Sequence, residues 1–295
     1  MHASVGEREG AFKVGILCRN EFGKEVRAVM AVTAGKDEKR FPTGIEFFDK
    51  QTGGFYPGFV MLLEEVGAGG KEFALSMIFR GAERHFKATY IAMSSSVSEV
   101  IRDSRLSFPE APGERLRELE ENVRIVSLEE LYFESSIIPM SWFSSEKPSL
   151  KAFRKKESDI LTELVKLCDE IEDGSLVFLD SMSDLVRLTR ERISWNDLID
   201  LIKGIRKLCV KRNVLMLSTL TRGMLDKGRE EELMDQADGA IVFEWEVHKE
   251  GVTRWMYIRK LLGVLPVLEK KRISKYSIKI DPHEGFVISQ LVRIV

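Results

Sequence analysis

The sequence predicts an α/β protein with a mostly parallel central sheet, helices on both faces and an antiparallel β extension at its C-terminal end. Three observations carry that expectation. From Phe59 onward, apolar runs of strand length alternate with segments of helical period, the order of a parallel sheet wrapped by helices. After Asp238 the helical segments stop, and four strand-like runs follow one another between turn signals, as in an antiparallel meander. The composition, 44% hydrophobic and 31% charged over 295 residues, is that of a globular chain able to bury a sizeable core.

Taken in order, the chain opens with "AFKVGILC" and "KEVRAVMAV", which read either as a short hairpin or as a poorly ordered segment. The Gly- and Pro-rich "FPTGIEFFDKQTGGFYPG" then marks a boundary near residue 40. Residues 1–39 are therefore expected to be an N-terminal extension and residues 40–295 the main domain. Because Met30 could begin a chain just ahead of that boundary, residues 1–29 are expected to be a peripheral addition or to lie outside the native product. "FVMLLE" is the first buried strand, and "KEFALSMIFRGAERH" follows with Phe73, Met77, Ile78 and Ala82 at helical spacing. "KATYIAMS" and "VRIVSL" are the next strands. "ESDILTELVKLCDEIED" sets Ile160, Leu161, Leu164, Val165, Cys168 and Ile171 on one helical face, with Gly174 as its stop. The strand "SLVFLD", the helix "WNDLIDLIKGIRKLCVKR" and the strand "VLMLSTL" complete the alternation. "GAIVFEWE", "TRWMYIRK", "YSIKID" and "GFVISQLV" form the meander. Residues 131–156 interrupt this order as an irregular insertion with aromatics and a basic end, and long irregular loops of this kind are commonly functional.

Charge and composition narrow the function classes. A formal net charge of −2 gives the chain no overall pull toward nucleic acid. The nucleic-acid alternative rests on a local track of Lys151, Arg154, Lys155 and Lys156 beside Trp142 and Phe143, and on Lys270, Lys271, Arg272 and Lys275. Charge runs are more often solvated faces. No apolar run approaches the roughly 18 residues that span a bilayer, and the N-terminus lacks the continuous apolar stretch of a secretory signal. Cys18, Cys168 and Cys209 are scattered without metal-ligand spacing and suit a reduced compartment, so the cytoplasm is expected. Abundant charge with scarce Asn and Gln leans toward a thermophilic source.

One stretch carries chemistry. "LLEEVGAGGKEFALSMIF" places small residues and Gly-Lys between a strand and a helix, the arrangement of the phosphate-binding loop G-x-x-x-x-G-K-[ST]. Gly67, Gly69, Gly70 and Lys71 fit it. Glu65 stands at the first glycine, and Glu72 stands at the hydroxyl that would ligate magnesium. A side chain at 65 is tolerated only where the backbone keeps φ negative. A carboxylate at 72 adds negative charge beside the phosphates. Two unit charges about 4 Å apart repel by roughly 4 kcal/mol at an effective dielectric near 20.

Ahead of it lie "TGIEFFD" (Thr43 to Asp49) and the Gly-Gly before the first strand, and after it come "LVFLDSMSDL" with Asp180 at the strand end, Ala237-Asp238-Gly239, and "RKLLG" between two strands. Together with the loop, in this order, they resemble the KaiC-like branch of the RecA superfamily of P-loop ATPases over roughly Arg40 to Ile288. The resemblance implies the RecA-like fold, an archaeal or thermophilic source, ATP with Mg²⁺ as ligand, Gly67, Gly69, Gly70, Lys71 and Lys260 around the nucleotide, and Glu72 with Asp180 at the metal. It also implies self-association, so a homo-oligomer or a protein partner is expected. Hydrolysis on this fold further needs a water-orienting carboxylate and a subunit-crossing cation. Ser94 and Ser95 occupy the usual glutamate positions, and Leu262 the usual arginine position, with Lys260 kept. The expectation is a catalytically degenerate nucleotide-binding or scaffold protein that binds ATP weakly. Two alternatives stand beside it: a working Mg-dependent ATPase using Glu72 as metal ligand, and a single-strand nucleic-acid binder. The bland readings are a surface ion pair for Lys71 with Glu72, a cap or Lys71 partner for Asp180, loop and N-cap chemistry for Ser94 to Ser96, and packing for Trp195, Trp245 and Trp255.

Overall fold

The computed structural model describes residues 11–19, 25–33, 40–84, 86–110, 113, 117, 121–134, 136–139, 142, 159–249 and 251–293. Two compact units divide between Lys39 and Arg40. The first contains an antiparallel pair, β1 (Ala11–Arg19) and β2 (Glu25–Thr33), with Ala11 opposite Thr33 and Arg19 opposite Glu25.

The second unit is built on a nine-stranded sheet of order β11-β10-β9-β8-β3-β7-β6-β4-β5. Its strands are β3 (Gly58–Glu64), β4 (Ala88–Ala92), β5 (Val123–Ser127), β6 (Leu176–Asp180), β7 (Leu215–Thr221), β8 (Gly239–His248), β9 (Gly251–Leu261), β10 (Ile273–Asp281) and β11 (Gly285–Arg293). The first six are mutually parallel, and β8 to β11 form the antiparallel extension. The α/β class and the antiparallel extension are thus as the residue pattern predicts. β8, which the pattern groups with the meander, belongs to both regions, pairing parallel with β3 and antiparallel with β9.

Connecting helices are α1 (Glu46–Thr52), α2 (Gly70–Glu83), α3 (Val97–Ser107), α4 (Glu129–Phe133), α5 (Ile160–Asp169), α6 (Met182–Leu188), α7 (Trp195–Arg212), α8 (Lys227–Gln236) and α9 (Leu265–Lys270). Central β3 shows why the strand reads as a continuous apolar run. Successive side chains face opposite sides of a sheet covered on both faces. Val60 and Leu62 enter one core with Phe41, Phe48, Phe73, Phe243 and Phe286. Phe59, Met61 and Leu63 enter the other, with Leu164, Ile202 and Cys209 of α5 and α7.

Three local expectations need correction. Val165 is 46% exposed, while Ile160, Leu164, Cys168 and Ile171 are buried, so the apolar stripe of α5 is narrower than predicted. That helix stops at Asp169, with Glu170 as its C-cap, and Gly174 instead makes the next turn at φ 72°. The irregular insertion begins in ordered structure, because α4 buries Leu131 and Tyr132. Trp142 is exposed, whereas Phe143, Lys151, Arg154, Lys155 and Lys156 lie outside the described residues.

Candidate functional site

β3, β4 and β6 run parallel with β7 in one sheet, so their C-terminal ends open on one edge, where ligands of α/β sheets gather. β3 delivers Glu64 there, and the chain turns through Glu65 to Gly69 before α2 begins at Gly70. Gly67 and Gly69 take φ 78° and 108°, left-handed values that favour glycine. Glu65 is not among the positive-φ residues, so the side chain that replaces glycine there strains nothing. It acts as a strut: its carboxylate accepts the Trp245 N–H at 3.0 Å and meets Arg222 at 3.3 Å. Two more donors from the antiparallel extension hold the loop apex. Trp245 Nε1 donates to the Val66 carbonyl, and Arg254 Nε to the Gly67 carbonyl, each at 3.0 Å. The Arg254 guanidinium also lies 4.1 Å from the centroid of the Trp245 ring.

The start of α2 carries N–H groups that no helical partner satisfies. Both N–H groups of Gly70 and Lys71 donate to one atom, Glu64 Oε2, at 2.8 and 3.2 Å. Burial pushes the Glu64 carboxyl up to about 7, opposed by the bonds from Lys71 and Gly70 and aided by the charges of Glu72 and Asp180. The Lys71 ammonium reaches Asp180 Oδ2 at 2.8 Å. Burial opposes that ammonium most, but Asp180, helped by the charges of Asp103 and Glu64, raises the lysine pKa above its ordinary value. Tyr90 donates to the same Asp180 oxygen at 2.5 Å, and the Asp180–Ser181 peptide is cis.

Of the residues singled out in the sequence, Gly67, Gly69, Gly70, Lys71, Glu72 and Asp180 meet at this edge. Glu72 sits in the first turn of α2, partly buried. Ser94 is drawn in through Asp184 of α6, whose Oδ2 accepts from Ser94 at 3.2 Å and from Ser181 at 2.9 Å, with Tyr132 a further donor. Burial raises the Asp184 pKa, against the bond from Ser181. Asp184 escaped the sequence reading; its one signal is the Ser-x-x-Asp spacing from Ser181. Ser95 accepts the Ser127 hydroxyl at its carbonyl, and Ser96 caps α3 in a reciprocal box with Glu99. Glu99 is therefore engaged in capping. Lys260 is held elsewhere, donating to the Asp235 and Met234 carbonyls at the end of α8, and Leu262 is 54% exposed.

The oxygen donors at this edge suit a hard divalent cation in type. Among the described residues no cluster of three or more His, Cys, Asp or Glu side chains is placed to hold a metal, so Glu72 and Asp180 alone would leave most ligands to a phosphate and water.

Comparisons with known proteins agree with this fold. The family described as "ATPase: KaiC" matches residues 41–291. A KaiC-like protein, PH0186, from the hyperthermophilic archaeon Pyrococcus horikoshii OT3 superposes with a TM-score of 0.60 at 19% identity, covering 86% of this chain and 100% of that one. The flagellar accessory protein FlaH of Methanocaldococcus jannaschii superposes with a TM-score of 0.58 at 13% identity, with the same coverage of 86% and 100%. At these identities the likeness is one of fold. No curated protein matches the sequence. With most of its length matched by the family, the chain belongs to the KaiC ATPase family.

Proposed function

We propose that this protein is a catalytically degenerate KaiC-like ATPase homologue that binds nucleotide weakly and acts as a scaffold or regulatory protein. The observation that supports it best is the state of β4's end. Where hydrolysis needs a carboxylate free to orient water, Ser94 gives its hydroxyl to Asp184 and Ser95 stands beside it. An exposed Leu262 offers no charge to a neighbouring subunit. The loop keeps the groups that bind: Gly67, Gly69, Gly70 and Lys71 would hold the phosphates, and Glu72 with Asp180 would flank Mg²⁺. ATP and Mg²⁺ are accordingly the proposed ligands, and a second copy or a protein partner the proposed associate. Among the described residues no helix is long and apolar enough to cross a membrane, and a cytoplasmic location belongs to the proposal.

A working Mg-dependent ATPase is the second reading. Asp184 favours it, because it brings a partly buried carboxylate beside Ser94. Turnover decides between them. Under the first reading the protein hydrolyses ATP no faster than its Lys71→Ala variant at the temperature of best stability. Lysine-dependent turnover near 1 s⁻¹, in the range of slow but real enzymes, would establish the second.

A further inference from the structure

The anion seat at the start of α2 is already taken by the chain itself. A helix start normally receives its cap from the residue just before it, but here that residue is Gly69, which has no side chain to offer. The acceptor comes instead from the end of β3, six and seven residues earlier, and one carboxylate oxygen gathers both N–H groups. The fit is close. A Cβ added at Gly70 would lie 2.8 Å from Glu64 Oε2 and 3.1 Å from Glu64 Cβ, so the side chain covers the face of Gly70 directly. The backbone at Glu64 is fixed, since its carbonyl accepts the Arg222 N–H at 2.9 Å and its strand is paired on both sides. Only the side chain is free to leave. Two N–H groups converging on one oxygen at a helix N-terminus are what a phosphate oxygen would receive.

We propose that Glu64 is an internal stand-in for phosphate, and that its exit from the Gly70–Lys71 seat sets the affinity of this loop for polyphosphate ligands. The proposal rests on the reading of the loop as a nucleotide site. A triphosphate or pyrophosphate competes with a tethered anion for the same two donors, and a tethered competitor acts at high effective concentration. The moiety attached to the phosphates does not enter the competition.

Calorimetric titration of the full chain with pyrophosphate and with Mg-ATP tests this, at about pH 8, where a carboxyl with pKa near 7 is ionised. Glu64→Ala empties the seat and is expected to tighten both ligands at least tenfold. Glu64→Gln keeps an acceptor oxygen but removes the charge, and is expected to fall between wild type and the alanine variant. Equal or weaker binding by a folded Glu64→Ala overturns the proposal. If that variant does not fold, Glu64→Gln decides, and affinity equal to wild type overturns it. The assignment of degeneracy fails separately: lysine-dependent turnover by the wild type would remove it while leaving the Glu64 result standing.

Discussion

Glu64 is a partly buried carboxylate, and its titration has a sign that can be worked out. Its ordinary value is 4.5, and in the fold burial pushes it to about 7. Between those values the native state holds a proton that the unfolded chain has lost, so stability falls as pH rises through this window. The loss is at most about 3 kcal/mol. Urea midpoints measured below pH 5 and above pH 7 should therefore fall more in wild type than in Glu64→Gln, and equal slopes would show that Glu64 is solvated. Glu72 acts on the same seat from the first turn of α2. Glu72→Thr is expected to tighten Mg-ATP by about tenfold, roughly 1.4 kcal/mol, in a Glu64→Ala background and by less in wild type, where the tethered carboxylate remains. A double-mutant cycle by calorimetry checks this; weaker binding would mark Glu72 as a working metal ligand. At this scale the placing of Gly67, Gly69, Gly70, Lys71 and Asp180 at one sheet edge was legible, because it follows from local spacing and strand ends. It did not disclose what Glu64 and Asp184 do, because their partners are set by turns that bring distant positions together. Glu65 was legible as a departure from the loop pattern, but not as the strut to β8 that it forms.

Elements of the family pattern prove to be supports for the fold. The Thr-Gly-x-x-x-x-Asp segment closes on itself: the Asp49 carboxylate accepts from Thr43 N, Thr43 Oγ1 and Gly44 N at 2.8 to 2.9 Å, ahead of and within α1. Asp238, in the Ala-Asp-Gly before β8, accepts the Phe59 N–H of β3 at 3.1 Å and Arg206 Nε of α7 at 2.6 Å. It is 5% exposed, so its loss would strand a buried donor and a cation at the junction of three elements. Asp238→Ala should cost about 2 to 3 kcal/mol, in the range of hydrogen bonds to charged groups, read as a lowered melting temperature with pyrophosphate affinity unchanged. A cost below about 0.5 kcal/mol would mean water replaces the carboxylate. Strands were legible as apolar runs, since the sheet is buried on both faces. The ends and faces of helices were less so. Val165 shares the period of the α5 stripe yet faces solvent, because the neighbouring elements cover only a portion of that face.

At the scale of the whole molecule, the antiparallel extension does more than close an edge. Through Trp245 and Arg254 it holds the apex of the phosphate-type loop, so the C-terminal strands position residues 65–67. This was not legible in sequence, because 180 residues separate Glu65 from its partner at Trp245. The unit from Arg40 to Val295 thus contains its sheet, both cores and the candidate site. Residues before Arg40 contribute a two-stranded pair, a structure of marginal stability alone in water. Among the described residues β1 and β2 pair only with each other, and the nine-stranded sheet is complete without them. A chain starting at Arg40 is therefore expected to melt within a few degrees of the full protein and to keep its affinity for pyrophosphate. Chemical denaturation of both forms measures the difference. A loss of more than roughly 2 kcal/mol, a large share of the stability of a typical domain, would show that residues 1–39 are integral to the core, and the division at Lys39 would then be one of contacts and not of folding.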